Sequence, residues 1–176
     1  GKGHGTDRGL VAGLLGMRAD DERIPHSFEI ADAAGLSYSF GIANLTSAHP
    51  NSVVLEVKGK SGRTLTVQAC SLGGGRIMIN RLDGLDVNCT CEIPTLIVHN
   101  LDQPGHVAEV TSMLAHKSVN IANMSLYRDK RGGSAVMVVE MDQPLSKESL
   151  QWLEHLEGIV KVTYINVTEG EEDDVL

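Results

Sequence analysis

The second half of the chain leaves few folds open, because its apolar residues change period in a fixed order. "PTLIVHN", from residue 94, is an apolar run of strand length, and "QPGHVAEVTSMLAHK" after it places Val107, Val110 and Leu114 on one helical face. "VNIANMSLYRD" and "GGSAVMVVEMD" read as two strands around the turn "DKRGG". Ser146 is placed to cap a helix over "KESLQWLEHL", with Glu148 to Gln151 in its first turn, and "GIVKVTYINV" closes as a strand. The order β-α-β-β-α-β is the split, ferredoxin-like arrangement.

The first half has a different grammar. Leu10, Val11, Leu14, Leu15 and Met17 recur at helical spacing, with Thr6 or Asp7 expected as the N-cap. A second helix is expected from Pro25 to Ala34, turning Phe28, Ala31 and Ala34 inward and stopping at Gly35. Strand signals follow in "LSYSFGIANL", "SVVLEVKG", "RTLTVQACSL", "GRIMINRL" and "LDVNCTCEI", with hairpin turns at "KGKSGR" and "LDGL". Helices followed by antiparallel strands indicate an α+β layer. The expected organisation is a mixed α/β first domain over residues 1–92, incomplete at its N-terminus, a ferredoxin-like domain over 94–168, and an acidic mobile tail over 169–176.

Composition excludes several classes of function. The 176 residues carry a formal net charge of −8, which argues against a nucleic-acid surface. No apolar stretch approaches a membrane span and no signal-peptide pattern is present, which favours the cytosol. Aromatic residues make up only 3%, so the core must be aliphatic. Three cysteines, Cys70, Cys89 and Cys91, suit a reducing compartment better than a disulfide framework. Cys89-Thr-Cys91 without a second pair is a weak metal motif, and two half-buried thiols on one side of a strand explain the spacing.

Chemistry can gather where "VHNLDQPG" runs into a helix. Unpaired backbone N–H groups and the helix dipole favour an anion there, such as a carboxylate. Pro104 suits the first turn and Gly105 permits a close approach. With "SVNIANM" following, these residues resemble the ACT domain, an amino-acid-sensing module, over Pro94 to Val167. The resemblance implies ligand groups from Asn100, Asp102, Gly105 and Asn120, or a domain that pairs subunits through its sheet and binds nothing.

Three short constellations mark the first half: "GHGTD" at 3–7, "HPN" at 49–51 and "SLGGG" at 71–75. Each is weak alone. In this order, before an ACT-like half, they resemble the beta subunits of iron–sulfur-dependent L-serine dehydratases, whose first domain is similar to the allosteric-substrate-binding domain of some phosphoglycerate dehydrogenases. In that family "KGHGTD" follows a strand and an earlier segment bearing a Ser-Ser-Ser-His-Thr motif. This chain starts at Gly1 without them, so it is expected to be a partial subunit, inactive alone.

The resemblance implies conversion of L-serine to pyruvate and ammonia, a cytoplasmic step of serine catabolism that feeds gluconeogenesis. It implies a four-iron–four-sulfur cluster on a partner alpha subunit, because three cysteines do not supply a cluster site here. Catalytic groups are then His4 and His49, since imidazole titrates in the range that acid–base work needs. Thr6, Asp7, Asn51, Ser71, Gly73 and Gly74 would bind the substrate or brace the histidines. His26, His99, His106, His116 and His155 lie in no such motif and are read as structural or exposed. Two other readings stand beside this one: a regulatory pair of domains that binds L-serine or another small amino acid, and an ACT-mediated dimerisation module.

Overall fold

Among the described residues, four short α-helices and two antiparallel sheets realise the α+β reading. The computed structural model describes residues 5–46 and 48–167, and the chain divides after Thr46 into two compact units. His4 and the acidic segment 169–176 lie outside the described residues.

In the first unit, α1 spans Thr6–Leu14, a 3₁₀ turn spans Ile24–His26, and α2 spans Ser27–Ala33. The N-cap of α1 is Gly5 at φ 69°, with no side-chain cap bond. Thr6 and Asp7 are therefore the first residues inside the helix and not its cap, and Asp7 meets the positive end of the dipole. Val11, Ala12 and Ala31 are buried, and the Ser27 hydroxyl donates to the Arg8 carbonyl at 3.0 Å. Gly35 ends α2 in a Schellman pattern, with its own N–H bonded to Asp32 and that of Leu36 to Ala31. Ala34 is exposed, contrary to the inward position expected of it.

The segment "LSYSFGIANL" is not a strand. Its alternation satisfies only one of the two needs of a strand, because no described strand lies alongside to complete a ladder. Its aromatics serve another purpose: Tyr38 and Phe40 gather on Phe28, with ring centroids 5.4 and 6.1 Å away.

The second unit opens with a meander, β1 (Ser52–Lys58), β2 (Thr64–Gly73), β3 (Arg76–Leu82) and β4 (Leu85–Cys89), paired in that order. Both inner turns are two-residue loops with positive φ at each position, Gly74–Gly75 (62° and 76°) and Asp83–Gly84 (46° and 84°). That is the twist a tight hairpin requires, and it explains the glycines of "SLGGG" without any ligand.

Next come β5 (Thr95–Leu101), α3 (His106–His116), β6 (Ile121–Arg128), β7 (Ser134–Met141), α4 (Lys147–Glu154) and β8 (Ile159–Ile165). The sheet order is β6-β7-β5-β8, the expected split arrangement. The Ser146 side chain accepts from the Ser149 N–H, so the capping residue is the one anticipated. On α3, Val110 and Leu114 are buried as expected, whereas Val107 is exposed.

Strands β5 and β7 read as unbroken apolar runs because both of their faces are covered. Leu96, Val98, Met137 and Val139 pack with Val110, Leu114 and Leu153 of the helices. Ile97, Val136 and Val138 pack on Ile79, Leu82, Val87 and Cys89 of the meander. The boundary read near residue 93 thus separates two sheets that share a core, while the division between compact units falls after Thr46. Among the described residues, no helix is long and apolar enough to cross a membrane.

Candidate functional site

Antiparallel pairing of β1 with β2 sets Ser52 opposite Cys70 and so brings "HPN" beside "SLGGG". The Ser71 N–H donates to the Asn51 carbonyl at 3.0 Å. The Asn51 N–H donates to Nδ1 of His49 at 3.3 Å, and the Ser52 hydroxyl to the His49 carbonyl at 2.6 Å. Ser71 Oγ in turn accepts from the Gly73 N–H at 3.3 Å. His49, Asn51 and Ser71 are all exposed on this corner. With Nδ1 accepting, a neutral His49 carries its proton on Nε2, and Nε2 has no protein partner among the described residues. Thr6 and Asp7 sit in the first turn of α1, in the other unit.

A second cluster forms where β5 runs into α3. Asn100 is 4% exposed; its Nδ2 donates to the Leu101 carbonyl at 2.7 Å, and its Oδ1 has no partner. Gly105 occupies the N-cap of α3 at φ 105°, a conformation that favours glycine. Asp102 faces the β6–β7 turn instead. It accepts from the Gly132 N–H at 2.9 Å and from Arg128 at 3.2 Å, which together hold its carboxyl below the usual carboxylate range. Asn120 is not part of this cluster within one chain. Its N–H and Nδ2 bond to Gln143 and Asp142 at the opposite end of the sheet, where β6 begins.

Sequence reasoning missed one member of the second cluster. His106, first residue of α3, is 7% exposed, with Nδ1 3.1 Å from Glu109 and Nε2 buried without a partner. Its ring lies over Gly158, where an added Cβ would come closer than 3.0 Å, while the Gly158 carbonyl accepts from Leu101. The available signal was its place directly after "DQPG". Two nearly buried polar atoms therefore stand unpaired, Asn100 Oδ1 near the end of β5 and His106 Nε2 at the start of α3, and an unpaired helix start suits a small polar ligand bearing a carboxylate.

His99, on the other face of β5, belongs to a third group. Its Nε2 lies 3.1 Å from Asp83, and the ammonium of Lys161 bonds to the same carboxylate. Burial pushes the imidazole down, against the pull of Asp83. Burial would raise Asp83, but Lys161 and the Thr66 N–H outweigh it and hold the carboxyl low. Arg63, bonded to the Val162 carbonyl, completes the seam between meander and β8.

The cysteines do not form a cluster site. Ala69, Ile79 and Cys89 stand in one cross-strand row, and Cys70 pairs with Met78 on the opposite face of the same sheet. Among the described residues, no group of three or more histidine, cysteine or acidic side chains is placed to hold a metal ion.

Comparison with known proteins places these features in a context. The ACT domain family matches residues 94–151. The chain is 34% identical over 164 residues to the probable L-serine dehydratase, beta chain, of Bacillus subtilis (strain 168), covering 93% of this chain and 74% of that protein. It is 35% identical over 167 residues to the L-serine dehydratase, beta chain, of Peptoniphilus asaccharolyticus, covering 94% and 75%. A D-3-phosphoglycerate dehydrogenase of Bacillus subtilis (strain 168) is 25% identical over 162 residues, 91% of this chain but 30% of that protein.

Proposed function

The chain belongs to the L-serine dehydratase beta chains, and from that premise we propose that it is one half of a composite lyase. The complete enzyme converts L-serine to pyruvate and ammonia in the cytoplasm, with a four-iron–four-sulfur cluster on an alpha subunit supplying Lewis-acid chemistry. The residues of this chain do not fit the cluster, since Cys70 faces away from Cys89.

The observation that carries this reading is the corner joining His49, Asn51 and Ser71. Asn51 engages Nδ1 of His49, so the imidazole presents a proton at Nε2 to a substrate oxygen. His4 of "GHGTD", with Thr6 and Asp7 beside it in sequence, is the second imidazole of the proposal, and either histidine can serve as the base that takes the α-proton. Gly73 and Gly74 shape the hairpin that carries Ser71. In the assembled enzyme, His49→Ala and His4→Ala should each lower turnover by about a hundred-fold to ten-thousand-fold, and His116→Ala should not. If both loop variants keep kcat within a few-fold of wild type, the catalytic assignment fails.

A second reading concerns the ACT half, and the unpaired Asn100 Oδ1 and His106 Nε2 favour it. L-serine or another small amino acid binds at the start of α3, its carboxylate toward the N–H groups near Gly105, and homo-association through this half accompanies it. Calorimetry of the full chain with L-serine tests the site. Heat that Asn100→Leu abolishes supports it, and no heat at millimolar ligand leaves assembly as the role of the domain.

A further inference from the structure

The dehydratase reading uses none of the three cysteines, yet two of them are in contact. Sγ of Cys89 lies 3.3 Å from Sγ of Cys91, although residues two apart along an extended strand are separated by roughly 6–7 Å at the backbone. What closes the gap is the backbone of Cys91, whose φ of 55° lies in the left-handed region. The ladder ends at Cys89, so Thr90 and Cys91 are released from strand pairing and the chain folds back. A left-handed backbone at a non-glycine residue costs about 1–3 kcal/mol and persists where the surroundings impose it. The expected picture of two half-buried thiols side by side on a strand is corrected accordingly. Both are buried, at 1% and 6% exposed, in the cluster with Ile97, Val136 and Val138.

We propose that Cys89 and Cys91 are a dithiol that a small hydroperoxide converts to an intrachain disulfide. The sulfurs need to approach by only about 1.3 Å, from 3.3 Å to the roughly 2.05 Å of an S–S bond. The flexible piece is the unpaired backbone at Thr90–Cys91 and not the sheet. Burial selects the oxidant, because hydrogen peroxide is close to water in size, whereas a glutathione-like disulfide cannot reach sulfurs this enclosed.

The two thiols are chemically unequal. The Cys91 thiol, donating to Cys89, holds the Cys89 thiol down to about 7 against the opposing effect of burial, and the Cys91 backbone N–H acts in the same direction. The sulfur of Cys89 beside it, and burial, push Cys91 up, and the carboxylate of Glu140 opposes ionisation of both. Cys89, held on the β4 ladder, is therefore the attacking sulfur of the proposal, and Cys91, on the backbone released from pairing, is the one that swings in to resolve.

Cys89 sulfur attacks one oxygen of the peroxide, the O–O bond breaks, and the departing oxygen takes a proton and leaves as water, giving a sulfenic acid at Cys89. Cys91 sulfur then displaces hydroxide from that sulfenic sulfur, its own proton completing a second water. Two thiols lose two electrons and two protons, and one hydrogen peroxide becomes two waters. The product closes a small ring at the end of β4, just before the connection that leads through Ile93 and Pro94 into β5.

The test uses the full chain, fully reduced, treated with a few equivalents of hydrogen peroxide, quenched, and alkylated after denaturation. Cys70 is buried apart from the pair and acts as an internal control. The expected product retains one alkylatable cysteine, Cys70, weighs two hydrogens less, yields a peptide containing the Cys89–Cys91 bond, and regains all three thiols with dithiothreitol. Cys89 should react at least about ten-fold faster than Cys70. Cys91→Gly suits the left-handed backbone, so it should fold, and it should accumulate a dimedone-trapped sulfenic acid at Cys89. The proposal is overturned if native protein keeps three alkylatable thiols under peroxide that oxidises the denatured chain. It is equally overturned if Cys70 oxidises while the pair stays reduced, or if folded Cys91→Gly yields no dimedone adduct.

Discussion

Gly158→Ala isolates the packing that holds His106 at the start of α3. Two penalties stack at this position. Gly158 has φ 81°, which costs an L-residue roughly 1–2 kcal/mol whatever surrounds it. A new Cβ would also fall well within 3.0 Å of the His106 ring, so the ring or the α4–β8 loop must move by about 1 Å to restore ordinary contact. Crowding of that kind in a packed site adds about 1–3 kcal/mol. Gly62 supplies the comparison, because it has φ 85° with nothing within 4 Å of a Cβ. Gly62→Ala should therefore cost only the conformational part, and Gly158→Ala roughly 2–5 kcal/mol in urea denaturation. At about 2–4 °C per kcal/mol for a chain of this size, Gly158→Ala should melt roughly 2–12 °C below Gly62→Ala. In a double-mutant cycle, the cost of Gly158→Ala should fall by at least about 1 kcal/mol in a His106→Ala background, since the ring that is struck is gone. Equal costs for the two glycine variants, or no coupling with His106, would refute the packing argument and with it the placement of the His106 ring over Gly158.

Further outcomes follow from other parts of the structure. Ser146→Ala removes the hydroxyl that accepts from Ser149 and should cost about 0.5–2 kcal/mol, read as a lower urea midpoint at unchanged slope. Stability should fall as pH drops below about 6.5, because the unfolded chain protonates the imidazole of His99 more readily than the folded one does. His99→Gln should flatten that slope between pH 7 and 5. Asp83 acts lower on the scale: its depressed folded value gives stability that is present above about pH 4 and lost as pH falls through that value, and Asp83→Asn should remove this loss. Anaerobic reconstitution of the chain alone with iron and sulfide should give no cluster absorption, and about four irons per chain would defeat the composite-enzyme reading.

Much of the second unit was legible because its signals are local. The 3.6-residue period of α3, the cap at Ser146 and the Asp-Gly and Gly-Gly turns each fix a conformation without reference to the rest of the chain. What depended on neighbours was not legible. Tyr38, Phe40 and Ile42 alternate as a strand would, but a strand also needs a partner, and the aromatics found Phe28 instead. Thr6 and Asp7 are good capping types, yet Gly5 takes the cap because its left-handed backbone turns the chain into the helix. In the candidate site, the residue types of "HPN" and "SLGGG" were visible, while their adjacency is a property of the β1–β2 register. His106 escaped because nothing in sequence spacing reveals a ring lying over Gly158 from another loop.

The doubly covered strand β5 has an ambiguity that hydrophobicity cannot remove. Leu96, Ile97 and Val98 are interchangeable in kind, so sliding the strand by one residue would exchange its two faces and still bury apolar side chains. His99 is what distinguishes the alternatives. In the native alignment its imidazole meets Asp83 beside Lys161; one step away it would enter the aliphatic layer beneath α3 and α4, and the carboxylate and ammonium would lose their neighbour. A histidine that looks incidental in "TLIVHN" thus acts as the index mark that tells the central strand which way to face.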